Sequence, residues 1–394
     1  MARKKQQQKP RVSGRRKAAL PPERRSHEFV LNEYDAWQER QRGRNWTLDQ
    51  VPFYKGKGHH AEQNPFNWHH HDFLKYYDQV YGRQCGAAGI GKLKDVGLVR
   101  VKEGAAVEHP FLKEDPDFAR REGLRKVDRA RLRDQQAAYA ENLQQHGVKV
   151  YWIDFPDGFR GAYGPMGDAH SAGDLLFLPG GTIVPKYGSA LASIAGFGRP
   201  EYLARWVFWN LGMPPLVTIN GKGVWAPGVF LAEDVYCQAV GVGTNEDGLN
   251  QVLPKIKSVV SEGVRVLRIL TPGWSGFDAE SGVSAYANNL IAPLDVDKVL
   301  VYPAGLDKDS NWWLWSNGYK IVEVPHEEQI RDRPCNAVII EPGLVAINAA
   351  AKGTIAAVRK AGVEVIPIEC GALSAGLASA TMQIWRDAGP RKFD

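Results

Sequence analysis

Apolar and polar positions along this chain fall into short, repeating blocks. Ile90 to Val101 reads IGKLKDVGLVRV, alternating and rich in β-branched residues, which predicts a strand. Good helix formers run from Asp117 to His146 and predict one charged helix, which Gly147 ends. Val148 to Phe155 is the next strand, completing a strand–helix–strand unit. Further on, Asp168 to Leu178 is a turn of small polar residues feeding a strand, and Tyr202 to Leu211 and Leu216 to Ile219 are a helix and a strand. Thr244 or Asn245 is placed to cap a helix over Glu246 to Val260. Asn336 to Ile347 reads as two strands around the turn Glu341-Pro342-Gly343, followed by a helix from Ala349 to Ala361. Val363 to Ile368 is a buried strand that leads through small residues to Ser379-Ala380-Thr381-Met382 and Arg386-Asp387. Short strands alternating with helices predict an α/β protein.

Composition narrows the class. At 394 residues with 44% hydrophobic content, the chain has material for one large domain or two and is not disordered as a whole. No apolar run reaches membrane-spanning length and the N-terminus has no apolar signal core, so the expectation is a soluble, cytoplasmic protein with no membrane partner. Cys85, Cys237, Cys335 and Cys370 are widely spaced and form no metal-type pair; reduced, buried thiols are expected. The net charge of +6 is concentrated at the front, where residues 1–25 hold ten Lys and Arg against Glu23. This run reads as a solvated tail or an arm on a neighbouring subunit. Nucleic acid is the less favoured partner, because the rest of the chain is close to neutral and carries no nucleic-acid motif.

Residues 26–85 form a separate N-terminal extension, aromatic and histidine-rich with little periodicity. His59, His60, His69, His70 and His71 are common metal-ligand types, yet adjacent residues on a regular element point apart. An aromatic, polar lid or subunit contact is the reading set beside metal binding, and no metal is assigned. Trp312, Trp313 and Trp315, with the aromatic arm, suggest a homo-oligomer.

The stretch GVEVIPIECGALSAGLASATMQIWRDAGP (Gly362 to Pro390) resembles the C-terminal motif of the pentein, or guanidine-modifying, superfamily of arginine deiminases, amidinotransferases and dimethylarginine hydrolases. There a strand and a Gly-rich loop precede a nucleophilic cysteine, which lies two residues before a threonine. Other phrases resemble the superfamily in the same order: Gly91-Lys92-Leu93-Lys94 near the start, Thr244-Asn245-Glu246 before a helix, and Ala292-Pro293-Leu294-Asp295. The resemblance covers residues 86–394 and implies an α/β-propeller of about five ββαβ units in pseudo-fivefold arrangement, with the active site in the central channel.

The chemistry departs from that pattern. Thr381 stands at the threonine, but Ser379 replaces the cysteine. The histidine falls at Tyr286 and its acid at Asn288, and Gly228, beside Trp225, replaces one substrate-binding acid. Asp174 stands where the superfamily holds a planar cationic substrate. His170 has Asp168 and Asp174 on either side, groups able to orient and charge-stabilise an imidazole. A serine without a base is a poor nucleophile. Three readings remain open. In the first, a hydrolase directs water at a planar carbon flanked by nitrogens and removes an amino or nitro group from a small heterocycle or guanidine-like compound. Denitration of 2-nitroimidazole is one concrete form. There His170, Asp168 and Ser379 are catalytic, while Asp174, Trp225, Gly228, Tyr286, Asn288, Asn289 and Thr381 bind substrate, and no cofactor is implied. In the second, an amidinotransferase or deiminase uses a relocated cysteine such as Cys370. In the third, the propeller is a non-catalytic binding module.

Overall fold

The computed structural model describes residues 85–101, 111–121, 128–154, 160–161, 164–165, 175–187, 200–272, 277–373 and 376–393. The basic tail, nearly all of the aromatic extension with its histidine cluster, and Asp168, His170 and Asp174 lie outside these residues.

Among the described residues, five three-stranded sheets share one internal plan. β1 (Leu93–Val99) runs parallel to β2 (Lys149–Ile153), connected through the helix Arg129–Gln145. A two-residue ribbon, β3 (Arg160–Gly161) with β4 (Gly164–Pro165), follows. β5 (Leu176–Leu178) pairs antiparallel with β6 (Gly181–Val184), which runs parallel to β7 (Pro215–Thr218) after the helix Pro200–Leu211. The same order repeats in β8 (Val229–Ala232), β9 (Val235–Val240), the helix Glu246–Val259 and β10 (Arg265–Leu270). It repeats in β11 (Ile291–Asp295), β12 (Lys298–Val301), the helix Lys308–Ser316 and β13 (Lys320–Glu323). It repeats again in β14 (Val338–Glu341), β15 (Leu344–Asn348), the helix Lys352–Lys360 and β16 (Glu364–Ile368). The last strand, β17 (Met382–Arg386), returns to pair antiparallel with β1, so the first sheet is assembled from both ends of the described chain.

Local sequence accounts for these elements. A parallel pair needs a crossover, and the intervening helices supply it. Most described strands have buried residues on both faces, as continuous apolar runs require. Asn245 is the cap of the helix Glu246–Val259, its Oδ1 accepting from the Gly248 N–H at 2.9 Å. The single helix expected over Asp117 to His146 is interrupted at Asp128: the helix Pro116–Arg121 lies before it, and a second helix begins at Arg129. Asp128 takes an extended conformation and accepts from the Arg131 N–H, which starts a new helix rather than continuing the old one.

The antiparallel edge strands of neighbouring sheets touch where β8 meets β11, β11 meets β14 and β17 meets β5, and β14 also meets β1, the middle strand of its sheet. The last strands, β2, β7, β10, β13 and β16, lie at the opposite edges of their sheets. Behind the strands, apolar clusters join adjacent sheets; one runs through Leu231, Leu290, Val301 and Ile347. Among the described residues, no helix is long and apolar enough to cross a membrane, and no group of three or more His, Cys, Asp or Glu side chains is placed to hold a metal.

Candidate active site

A cavity of about 90 Å³ opens where the first strands converge. Each three-stranded sheet contributes its edge strand: Leu176 and Phe177 from β5, Val229 and Phe230 from β8, Ile291 to Pro293 from β11, Ile339 from β14 and Gln383 from β17. Ala87, Gly89, Gly228, Ala292, Ala337 and Ala378 keep the wall thin, since small side chains leave room for a ligand against the backbone. Leu175, the residue after Asp174, also lines it.

Ser379 sits at 4% exposure beside this wall, on the short helical turn Leu377–Ala380. Its Oγ accepts from Asn288 Nδ2 at 3.2 Å and Asn336 Nδ2 at 3.0 Å. Its backbone N–H donates to Asn336 Oδ1 at 2.9 Å. That last bond fixes the Asn336 amide: the oxygen faces the Ser379 N–H, so the nitrogen must face the Ser379 hydroxyl and Asn289 Oδ1, 2.8 Å away. Both lone pairs of the hydroxyl oxygen are therefore engaged by amide donors. No imidazole or carboxylate among the described residues bonds to it, so nothing there ionises it. The arrangement suits a group that holds geometry and donates its own O–H.

Asn336, which no sequence motif marks, organises this corner. Its backbone carbonyl also accepts from the N–H groups of Leu377 and Ala378, at 3.1 and 3.2 Å. Gly376 makes that approach possible: a Cβ there would lie 2.5 Å from Asn336 Oδ1, and its φ of 96° is one that side chains avoid. Asn289, expected at the substrate, is 5% exposed and belongs to the same buried network, donating to Ser284 Oγ at 3.0 Å. Asn288 does line the cavity. Thr381 lines it too, with its hydroxyl donating to the Leu377 carbonyl at 2.7 Å and accepting from the buried Tyr139 hydroxyl at 2.9 Å.

Two expected substrate contacts stand elsewhere. Trp225 is wholly buried, packed with Phe230, Tyr236 and Val252, and its indole N–H donates to Gln238 Oε1 at 3.0 Å. It supports the wall from behind because a buried indole needs an internal acceptor, which Gln238 supplies. Tyr286 precedes the 3-10 turn Ala287–Asn289 and sets its ring edge-on to Tyr187, 6.1 Å away, outside the lining. Gly228 is at the cavity as expected. An added Cβ would lie 2.1 Å from the Cys237 carbonyl oxygen and 2.7 Å from the Tyr236 ring. Its N–H donates to the Tyr236 hydroxyl at 2.7 Å. No acid fits at this position without moving backbone.

Cysteine chemistry finds no thiolate here. Cys335 lines the cavity, but burial pushes its thiol far above the ordinary range, and its Sγ donates to the Leu290 carbonyl at 3.5 Å. Burial, then the charges of Glu369 and Asp332, pushes Cys370 up to about 12, and it does not line the cavity. A cysteine this far above neutral pH is inert as a nucleophile.

Solved structures identify the fold. The dimethylarginine dimethylaminohydrolase of Pseudomonas aeruginosa is 15% identical with a TM-score of 0.51, the match spanning 74% of this chain and 99% of that one. The inosamine-phosphate amidinotransferase of Streptomyces griseus is 14% identical with a TM-score of 0.54, over 79% and 99% of the two chains. No family model matches the sequence. The 2-nitroimidazole nitrohydrolase of Mycobacterium sp. (strain JS330) is 31% identical over 367 residues, covering 89% of this chain and 94% of the relative. The chain belongs to the family of that nitrohydrolase, and it shares its fold with the dimethylarginine dimethylaminohydrolase and the amidinotransferase. It is a hydrolase acting on carbon–nitrogen bonds other than peptide bonds.

Proposed function

We propose that this hydrolase adds water to the carbon between the two nitrogens of a small, neutral, planar heterocycle and expels a nitro group, with 2-nitroimidazole as the reference substrate. The observation that carries the reading is the state of Ser379: its oxygen takes N–H donors from Asn288 and Asn336 and has no base beside it among the described residues. A covalent route through this position lacks its activated nucleophile, whereas a water route needs only positioning and a base. The nitrohydrolase relative supports the nitro leaving group.

The described lining carries no carboxylate, and Gly228 closes one of the places where an acid would hold a guanidinium. Both features favour an uncharged ring over a cation. In this reading Asp174 accepts the ring N–H, and His170, oriented by Asp168, takes the proton of the attacking water. Support comes from Leu175, which continues from Asp174 into the cavity wall. Asn288 and Ser379 donate hydrogen bonds to charge that develops on the ring or the departing group. The five sheets act as blades of one propeller around this cavity, a reading supported by the edge strand that each contributes.

The test is incubation of the purified protein with 2-nitroimidazole in water enriched in oxygen-18. Stoichiometric nitrite and an imidazolone carrying one heavy oxygen are expected. Absence of nitrite release from 2-nitroimidazole, with release of ammonia or an amine from guanidines, overturns the reading.

A further inference from the structure

One polar side chain in the cavity wall is backed by a buried charge. Gln383, on β17, lines the cavity. Its Oε1 accepts from Arg386 Nε at 3.1 Å and Nη2 at 2.7 Å. A guanidinium has only donors, so the carbonyl end of the amide must face it. The amide nitrogen is the end left for the cavity, and no described residue accepts from it.

Arg386 is 4% exposed. Its other bonds go to the backbone carbonyls of Gly91 at 2.8 Å and Ile339 at 2.5 Å. No carboxylate among the described residues pairs with it. Burial lowers its pKa to about 9, so it remains a cation at neutral pH. A buried charge is costly unless it is hydrogen-bonded, and here carbonyl oxygens meet that need while leaving the positive charge uncompensated. Its field reaches the cavity through an amide that it polarises, which strengthens the N–H bonds on the far side.

We propose that Gln383, held by Arg386, is an oxyanion subsite that receives the oxygen atoms of the leaving group and selects nitro over amino substituents. The inference rests on the nitrohydrolase reading above. As the water oxygen bonds to the ring carbon, the bond from that carbon to the nitro nitrogen breaks. The electron pair departs with nitrogen as nitrite, and the water protons pass to base and solvent; no oxidant or reductant takes part. Negative charge grows on the nitro oxygens during this step, where a preorganised donor is most effective. An ammonium or guanidinium group at the same place would meet a donor backed by a cation and be repelled. Gln383 is thus the contact and Arg386 its positioning residue.

The experiment compares wild-type protein with Gln383→Leu and Gln383→Glu, by kinetics on 2-nitroimidazole and by calorimetric titration with sodium nitrite. Gln383→Leu removes the donor; Gln383→Glu keeps an acceptor for Arg386, guarding against a folding artefact, but presents a carboxylate in place of the amide. Both variants are expected to lose about a hundredfold in kcat with a smaller change in KM, and to bind nitrite at least about tenfold more weakly. Unchanged kcat and unchanged nitrite affinity in both variants overturn the subsite. If wild-type protein releases no nitrite from 2-nitroimidazole yet binds nitrite through Gln383, the subsite stands and the substrate reading falls. If nitrite binding is absent from wild-type protein while turnover is normal in the variants, the subsite alone falls.

Discussion

Ser379 illustrates how little a residue type says without its partners. Two amide donors converge on its oxygen, and replacing the hydroxyl removes the acceptor for both. Ser379→Ala is expected to cost about 1–3 kcal/mol of stability, because buried donors are left unmet. In the proposed route, where water rather than the serine attacks, it should nevertheless retain measurable turnover. Thermal melting and initial rates check both parts, and complete loss of activity in a folded variant would return Ser379 to the role of nucleophile. Ser379, Asn288 and Thr381, which the fold brings to the cavity or to the turn beside it, could be singled out in the sequence because they occupy positions of a known motif. Asn336 and Gln383 could not. Asn336 acts on Ser379, 43 positions away, and a pairing across that separation leaves no local signature. Trp225 was misplaced for a related reason: an aromatic beside a cavity-lining glycine reads the same whether its ring points into the cavity or behind it.

At the scale of elements, the approach to β8 replaces an acid with packing. Tyr236 and the Cys237 carbonyl occupy the space that a side chain at Gly228 would need. Gly228→Asp is therefore expected to lower stability and soluble yield without adding activity on guanidines, measured by urea unfolding and by ammonia release. Helix termini carry another consequence. Burial acts against ionisation of Asp307, but donors from Ser310 and Leu270 outweigh it and hold its pKa below the ordinary value. Glu328 is likewise lowered despite burial, by hydrogen bonds from Thr354 and Gly353 at the start of the helix Lys352–Lys360. Depressed carboxylate pKa values give stability that is present above the unfolded-state values, near pH 4, and lost as pH falls through the folded ones. Asp307→Asn and Glu328→Gln should flatten the acid limb of a plot of stability against pH below about 4. An acid limb as steep as the wild type's would show that these caps do not contribute. Several strands, among them β1, β2, β14, β15 and β16, followed directly from apolar runs. The break in the helix before Arg129 did not, because the cap preference of the single residue Asp128 is outweighed in a window reading by the good helix formers around it.

For the whole molecule, the converging sheets leave all four cysteines buried: Cys85, Cys237, Cys335 and Cys370. Native protein should resist iodoacetamide and keep its activity, with the thiols reacting only on unfolding. Rapid inactivation with labelling of Cys335 or Cys370 would favour a thiolate mechanism instead. The same convergence makes the cavity, since each wall strand belongs to a different sheet.

The amino-acid sequence by itself determined the α/β class, the alternation of strands and helices, and the substitution of serine for the motif cysteine, because periodicity and residue identity are local properties. Tertiary structure decided which side chains share the cavity and which way each amide points. Gln383 presents its nitrogen only because Arg386 takes its oxygen, and Ser379 is an acceptor only because Asn288 and Asn336 come to it from separate parts of the chain. Hydrogen-bond direction depends on partners brought together by packing, and packing joins residues that the order of the chain keeps apart.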